Sequence, residues 1–318
     1  MRLVGVGACY MDTILSVPYY PAEDEKLRAT NIHRRRGGNV PNTLEVLQQL
    51  VSASSGSEHK PQLYLCSVMP ALSSVGSSEI KASFGPSVDL SHCLYRDAHS
   101  EPASSYIIKS SSADSRTIVN YNDLPEMTCA EFIAMSDSFD DEATWYHFEG
   151  RIPDVTLQFM RHLRQNHPTV RLSVEVEKPG RPGLESLAAQ ADVVFYSKSW
   201  SRERGYPDAI ACVRDQARIA RKASHLFCTW GEAGATAFDV KHQEIYNQRA
   251  ASIAAVTDTI GAGDTFIAGV LYGMLWRDHD WDVSRVLEFA STLAGCKIAQ
   301  EGFQGLGDRM RISGAIPA

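Results

Sequence analysis

The sequence has no surplus of positive charge. Over 318 residues, 38 acidic side chains outnumber 31 basic ones, for a formal net charge of −7. Neither nucleic acid nor an anionic membrane is therefore expected as the main partner. A local site on an acidic protein can still be positive, so small anionic ligands stay open. Paired cysteines are lacking too. The seven present (Cys9, Cys66, Cys93, Cys129, Cys212, Cys228, Cys296) are scattered, odd in number and never spaced C-x-x-C. That excludes a disulfide framework and a cysteine zinc site, and it fits a reducing compartment. No apolar run approaches the roughly 20 residues of a membrane-spanning helix. The first residues, "MRLVGVGACYMD", lack the pattern of a signal peptide. A cytoplasmic location is expected.

What is present is an ordinary globular composition, 44% hydrophobic and 22% charged, enough for a sizeable core. "RLVGVGA" reads as a short buried strand; its G-x-G has no third glycine and no helix after it, so it is not a dinucleotide fingerprint. "DTILSV" and "KLRATNIHRRR" alternate as a half-exposed sheet does. "GGNVPNTLEVLQQL" turns helical, with Val40, Leu44, Leu47 and Leu50 near a 3.6-residue period. "LYLCSV" is a strand, whereas "PALSSVGSSEIKASFG" shows no clear period and receives no element. "CLYRD", "SSYIIKS" and "SRTIVNY" look like strands of a partly exposed sheet.

Further on, the strands "TWYHFEG", "VRLSVEVE", "DVVFYSK" and "HLFCTW" alternate with helical stretches, and "TAFDV" follows. Then "SIAAV" is expected as a strand leading to the helix "TFIAGVLYGMLW". Alternation of this kind predicts an α/β fold, a mostly parallel sheet with helices on both faces. The expected core spans 1–9, 37–91 and 122–318, with a small β-sheet lid from 10–36 and 92–121.

Between those last two elements lies "DTIGAGD". If the strand ends at Val256 and the helix begins near Asp264 or Thr265, the turn sits at a strand's carboxyl end, where α/β proteins bind ligands. Gly261 and Gly263 let backbone N–H groups approach an anion at a helix N-terminus. Asp264, expected at or beside the N-cap, is within reach of whatever the glycines hold. Upstream, the amides of Asn39 and Asn42 offer donors and acceptors suited to sugar hydroxyls.

"DTIGAGDTFIAG" and "GGNVPN" together resemble the two signatures of the ribokinase-like (pfkB-type) carbohydrate kinases, D-T-x-G-A-G-D-x-F and an early G-G-N-x-x-N. The resemblance implies a three-layer α/β/α core, a β-sheet lid and ATP-dependent phosphorylation of a sugar. By it, Gly261, Ala262 and Gly263 form the anion hole and Asp264 is the catalytic base. Asp12, Asp24, Gly38, Asn39, Asn42 and Arg116 join Asp264 around the sugar. Lys198, Glu232 and Gly234, with Gly261 and Gly263, hold ATP.

The resemblance also implies Mg²⁺ on the phosphates, with a monovalent cation such as K⁺ as a further candidate, and a homodimer joined through the lid sheets. Glu175 and Glu177, on one face of a strand by alternation, are assigned to Mg²⁺ hydration or loop structure. The collinear blocks "HFEGR", "RLSVEVEKP", "DVVFYSK" and "WGEAGA" bring the chain nearest to the branch that phosphorylates the 1-hydroxyl of fructose. Fructose or a similar ketose is the expected substrate. Another sugar or a nucleoside, or a catalytically silent sensor, is the alternative. Two departures stand out: "SKSWS" replaces the family's Asn-x-x-Glu, leaving the metal ligands open, and residues 70–86 lack its Gly-Asp turn beside the sugar.

Overall fold

The computed structural model describes residues 1–54, 62–113, 115–139, 144–253, 255–277 and 280–316. The chain opens with β1 (Arg2–Val6), β2 (Tyr10–Val17), β3 (Asn31–Gly37) and α1 (Asn39–Ala53). It continues through β4 (Gln62–Cys66), β5 (Val68–Pro70), α2 (Val75–Ser83), β6 (Val88–Asp89), β7 (Leu94–Arg96), β8 (Ser104–Ser110) and β9 (Ser115–Tyr121). Then come α3 (Cys129–Ser136), β10 (Thr144–Phe148), α4 (Pro153–Asn166), β11 (Arg171–Val176), α5 (Leu184–Ala188), β12 (Val193–Tyr196), α6 (Lys198–Glu203) and α7 (Ala209–Gln216). Last are β13 (His225–Thr229), β14 (Ala235–Asp239), β15 (Glu244–Gln248), α8 (Ala262–Trp276), α9 (Val283–Ile298) and α10 (Leu306–Ile312).

Nine strands form the large sheet, in the order β15-β14-β13-β12-β11-β10-β1-β4-β6. It is parallel from β13 to β6, and β14 alone runs the other way. Alternation along each strand sends neighbours to opposite faces, and the core divides accordingly. Leu3, Leu63, Trp145 and Phe195 pack with α1, α8, α9 and α10. Val4, Tyr146, Val174 and Tyr196 pack with α3, α4, α5 and α7. This is the three-layer α/β/α arrangement expected, with an apolar core on each side of the sheet.

A second sheet of four strands, in the order β3-β2-β8-β9, stands over one end of the first. Asp12 pairs with Arg35 and Ser105, and Ser105 pairs with Asn120. Side chains directly opposite share a face, so Asp12, Ser105 and Asn120 point the same way.

Four local expectations need correcting. "PALSSVGSSEIKASFG" contains α2, started by Ser74 Oγ accepting from Ser77 N at 3.1 Å. Only Gly76, Ser77 and Ile80 of it are buried, too little apolar stripe to show a period. "CLYRD" does form a strand, but β7 pairs with β5 in a separate two-stranded ribbon. "SIAAV" is no strand over its described residues; the sheet already ends at β15, which sequence reading passed over. Its continuation is tied to α9 instead, with Thr257 N and Asp258 N donating to Ile298 O at 2.7 and 3.3 Å. Finally, α8 begins at Ala262 with Gly261 as its cap, so Asp264 is the third helical residue and caps nothing.

Candidate active site

The glycine turn is fixed by its neighbours. Gly261 has φ 79°, and a Cβ there would lie 2.3 Å from Phe303 Cζ, so only glycine fits. At Gly263 an added Cβ would meet nothing within 4 Å, because that position faces open space. First-turn N–H groups of a helix have no partner within the helix. Those of α8 sit at the positive end of its dipole and face a cleft of about 510 Å³. Just before the turn, Asp258 accepts from Lys297 Nζ (2.9 Å), Arg35 Nη1 (3.2 Å) and Ile260 N (2.9 Å). Lys297, wholly buried, also donates to Asp258 O at 3.0 Å.

Asp264 is buried at the head of α8, with its Oδ2 accepting from Asn42 Nδ2 at 2.8 Å. Thr43 Oγ1 donates to the Asp264 carbonyl at 3.2 Å, locking α1 to α8. Asn42 is itself oriented: its Oδ1 accepts from Arg36 Nη1 at 3.1 Å, and Arg36 is paired with Glu45. Burial, and next the charge of Glu175, push the Asp264 carboxyl well above its usual range, while the Asn42 hydrogen bond pulls the other way.

A polar thread on the same side of the large sheet reaches the cleft through the apolar core. Trp145 Nε1 donates to Ser173 Oγ at 2.7 Å, and Ser173 Oγ lies 2.8 Å from His147 Nδ1. The indole can only donate, so Ser173 Oγ accepts from it, and the other ring nitrogen, His147 Nε2, lies 3.2 Å from Glu175 Oε1. Burial holds the His147 pKa down at about 3, against the pull of Glu149, so the ring is neutral and its contact with Glu175 is a hydrogen bond, not an ion pair. Asn39 Nδ2 donates to both Glu175 Oε2 (2.7 Å) and Glu177 Oε2 (3.0 Å). Burial and the nearby Glu149 raise Glu175 well above the carboxylate range. Glu149 is raised by its own burial, and Ala8 N donates to its Oε2 at 2.9 Å.

The inner face of the small sheet closes the other side of the cleft with Asp12, Ser105, Ile107, Arg116, Ile118 and Asn120. Burial lifts the Asp12 carboxyl, and a hydrogen bond to Ser105 with the charges of Arg35 and Arg36 oppose it. A Cβ at Gly37 would lie 2.4 Å from Asp12 Oδ2, so a larger residue there would push the Asp12 carboxylate out of place.

Of the residues singled out in the sequence, Asp12, Gly38, Asn39, Asn42, Arg116, Gly261, Ala262, Gly263 and Asp264 line this one cleft. Asp24 does not; it sits in an exposed turn between β2 and β3 with φ 62°. Lys198, Glu232 and Gly234 lie beyond the lining, past Thr229. Gly234 has a structural reason for its identity, since a Cβ would fall 2.0 Å from Gln248 O.

Sequence reading assigned no role to Glu149, Arg36, Asp258 or Lys297. Asp258 opens the D-T-x-G-A-G-D signature, and Lys297 left a signal of its own: it continues the buried stripe Val286, Ala290, Leu293 of α9, where a charge demands a partner.

The description pfkB family carbohydrate kinase matches residues 2–307. Ketohexokinase of Mus musculus is 29% identical over 314 residues, covering 96% of this chain and 98% of the mouse protein. Among solved structures, ribokinase from Giardia lamblia superposes with a TM-score of 0.78 at 15% identity, over 99% of this chain and 98% of that one. Ribokinase of Arabidopsis thaliana, solved with ribose and ATP, gives 0.77 at 18% identity, over 100% and 99%. With the profile match running nearly end to end and the ribokinase-like fold in place, the chain belongs to the pfkB family of carbohydrate kinases.

Proposed function

We propose that this carbohydrate kinase transfers the γ-phosphoryl group of ATP to the 1-hydroxyl of fructose or a similar ketose. One observation carries the reading: a buried carboxylate, Asp264, held by Asn42 at the head of α8 and facing a cleft lined by Asp12, Asn39 and Arg116. Likeness over nearly the full length to a ketohexokinase supports the ketose.

In this reading Asp12, Asn39 and Asn42 bind sugar hydroxyls, and Asp264 accepts the proton of the hydroxyl that attacks. Burial suits that task, because it raises the proton affinity of the base toward the pH at which it works. The amides of Gly263 and Asp264 at the start of α8 neutralise charge on the transferring group. Arg116 adds a cation from the opposite side.

The nucleoside end of ATP would run past Thr229 toward Lys198, Glu232 and Gly234. Mg²⁺ fits the donors available: Glu149, Glu175 and Glu177 offer hard oxygen ligands at the cleft floor, and it would supply charge neutralisation of the phosphates. Closing the small sheet as a lid would exclude water and limit wasteful ATP hydrolysis.

An ADP-release assay across a dozen sugars, ribose and nucleosides, with the phosphate position read by ³¹P NMR, tests the proposal. A ketose 1-phosphate as the best product is expected. Faster turnover of ribose or a nucleoside would overturn the ketose, and sugar binding by calorimetry without ADP release would mark a silent sensor.

A further inference from the structure

On the face of the molecule carrying α3 and α4, away from the cleft, Asp137, His162 and His167 converge. Asp137 caps the C-terminus of α3, His162 lies just before the last turn of α4, and His167 caps that helix. Both imidazoles aim the same atom, Nε2, at the same carboxylate oxygen, Asp137 Oδ1, each at 2.9 Å. Among the described residues this is the group of His, Cys, Asp and Glu side chains whose ligand atoms all lie within 4.8 Å of one another. The histidines are mostly shielded, at 12% and 21% side-chain exposure, while the carboxylate is half open to solvent.

We propose that Asp137, His162 and His167 bind a transition-metal dication, Zn²⁺ being the best fit, as a clamp between the C-terminal ends of α3 and α4. Two imidazole nitrogens and one carboxylate oxygen are a zinc donor set, with water in the fourth position; Mg²⁺ and Ca²⁺ prefer all-oxygen sites. Metal–ligand bonds of about 2.0–2.1 Å place tetrahedral ligand atoms roughly 3.3 Å apart. Each Nε2 starts 2.9 Å from Asp137 Oδ1 and needs to back off by only a few tenths of an ångström, and all three ligand atoms already lie within 4.8 Å of one another.

The surroundings allow the required tautomer. His162 Nδ1 lies 3.0 Å from Asn166 Nδ2 and accepts from it when Nε2 carries the proton. With metal on Nε2 the proton moves to Nδ1, and the Asn166 amide turns its oxygen to receive it, as second ligands of zinc histidines do. The helices supply rigidity: His167 N donates to Leu163 O at 2.8 Å and Asp137 N to Ile133 O at 2.9 Å, so the backbone under two of the ligands is fixed.

Titration calorimetry and thermal melting of the chelator-treated full chain with ZnCl₂ test this, with MgCl₂ as control. One Zn²⁺ per chain, a rise in Tm with Zn²⁺ but not Mg²⁺, and an affinity about tenfold or more weaker in each of His162→Gln, His167→Gln and Asp137→Asn are expected. The Gln variants keep kinase turnover without added zinc, which shows that they fold. Seven free cysteines are the rival ligands, so Co²⁺ is used as a spectroscopic probe. No stoichiometric Zn²⁺ binding, binding unchanged in the histidine variants, or a thiolate charge-transfer band with Co²⁺ would each overturn the proposal.

Discussion

Asp264 is a carboxylate buried beside other carboxylates, and its neighbours rather than its position in the helix give it its chemistry. Replacing it with Asn keeps the acceptor for Asn42 Nδ2 and removes the base. Turnover of Asp264→Asn is expected to fall roughly 10²- to 10⁴-fold with sugar affinity nearly unchanged, measured by ADP release and calorimetry. The same variant makes a pH prediction of definite sign. The folded-state pKa is raised, so between about 4, the unfolded value, and that higher value the folded chain holds a proton the unfolded chain has lost. Stability from this group is full below that window and lost as pH rises through it. Without ligand, the Tm of Asp264→Asn relative to the parent chain should therefore climb from pH 5 to pH 8. A gap that is flat or shrinks would contradict the burial argument.

At the scale of the element, the glycine turn combines two opposite demands on the same residue type. Gly261 is required by φ 79° and by Phe303, so Gly261→Ala should lower stability by more than the ~1–2 kcal/mol of left-handed strain. Gly263 is helical and faces empty space, where alanine is favoured by ~1 kcal/mol. Gly263→Ala should keep or raise the Tm while its methyl group obstructs the anion site and raises the KM for ATP. Thermal melts and initial rates of the pair separate the roles. The turn's anchor is Lys297, and Lys297→Met leaves the largely buried Asp258 with Arg35 as its remaining cation. Breaking a buried pair costs about 3–5 kcal/mol; urea unfolding should show the lower end, with partial recovery in the double variant carrying Asp258→Asn.

These elements also explain what the sequence could reveal. Asp264, Gly261 and Gly263, and separately Asn39 and Asn42, are close in sequence, so short patterns exposed them. Arg36 acts through Asn42, and Lys297 through Asp258 at a separation of 39 residues, which no local pattern encodes. "SIAAV" misled because a short apolar run reads alike whether or not a sheet edge is there to pair with. Asp24 shows the reverse limit: an acid in a turn gives no hint of which way the turn faces.

Across the whole molecule, the small sheet has two faces with different fates. Its inner face covers the cleft, while its outer face carries Tyr106 opposite Val119, Tyr121 farther along β9, and Ile32 on the other edge strand, all 46–65% exposed. Strand β9 is exposed along its full length, and β3 and β9 both end the sheet. Exposed apolar side chains on an unpaired sheet mark an association surface, and we propose that the homodimer the family resemblance implies forms through these lid sheets. Pairing through the outer faces would leave each inner face free to close over its own sugar. Val119→Arg puts a charge on that face, at its β9 edge, without touching Asp12, Ser105 or Arg116. Light scattering after size exclusion should find the parent chain as a dimer and Val119→Arg as a monomer. Its KM for sugar should rise more than its kcat falls, because an unsupported lid binds less well but delivers the same base. A parent chain that is monomeric at micromolar concentration, or a Val119→Arg dimer, would place the subunit contact elsewhere or remove it.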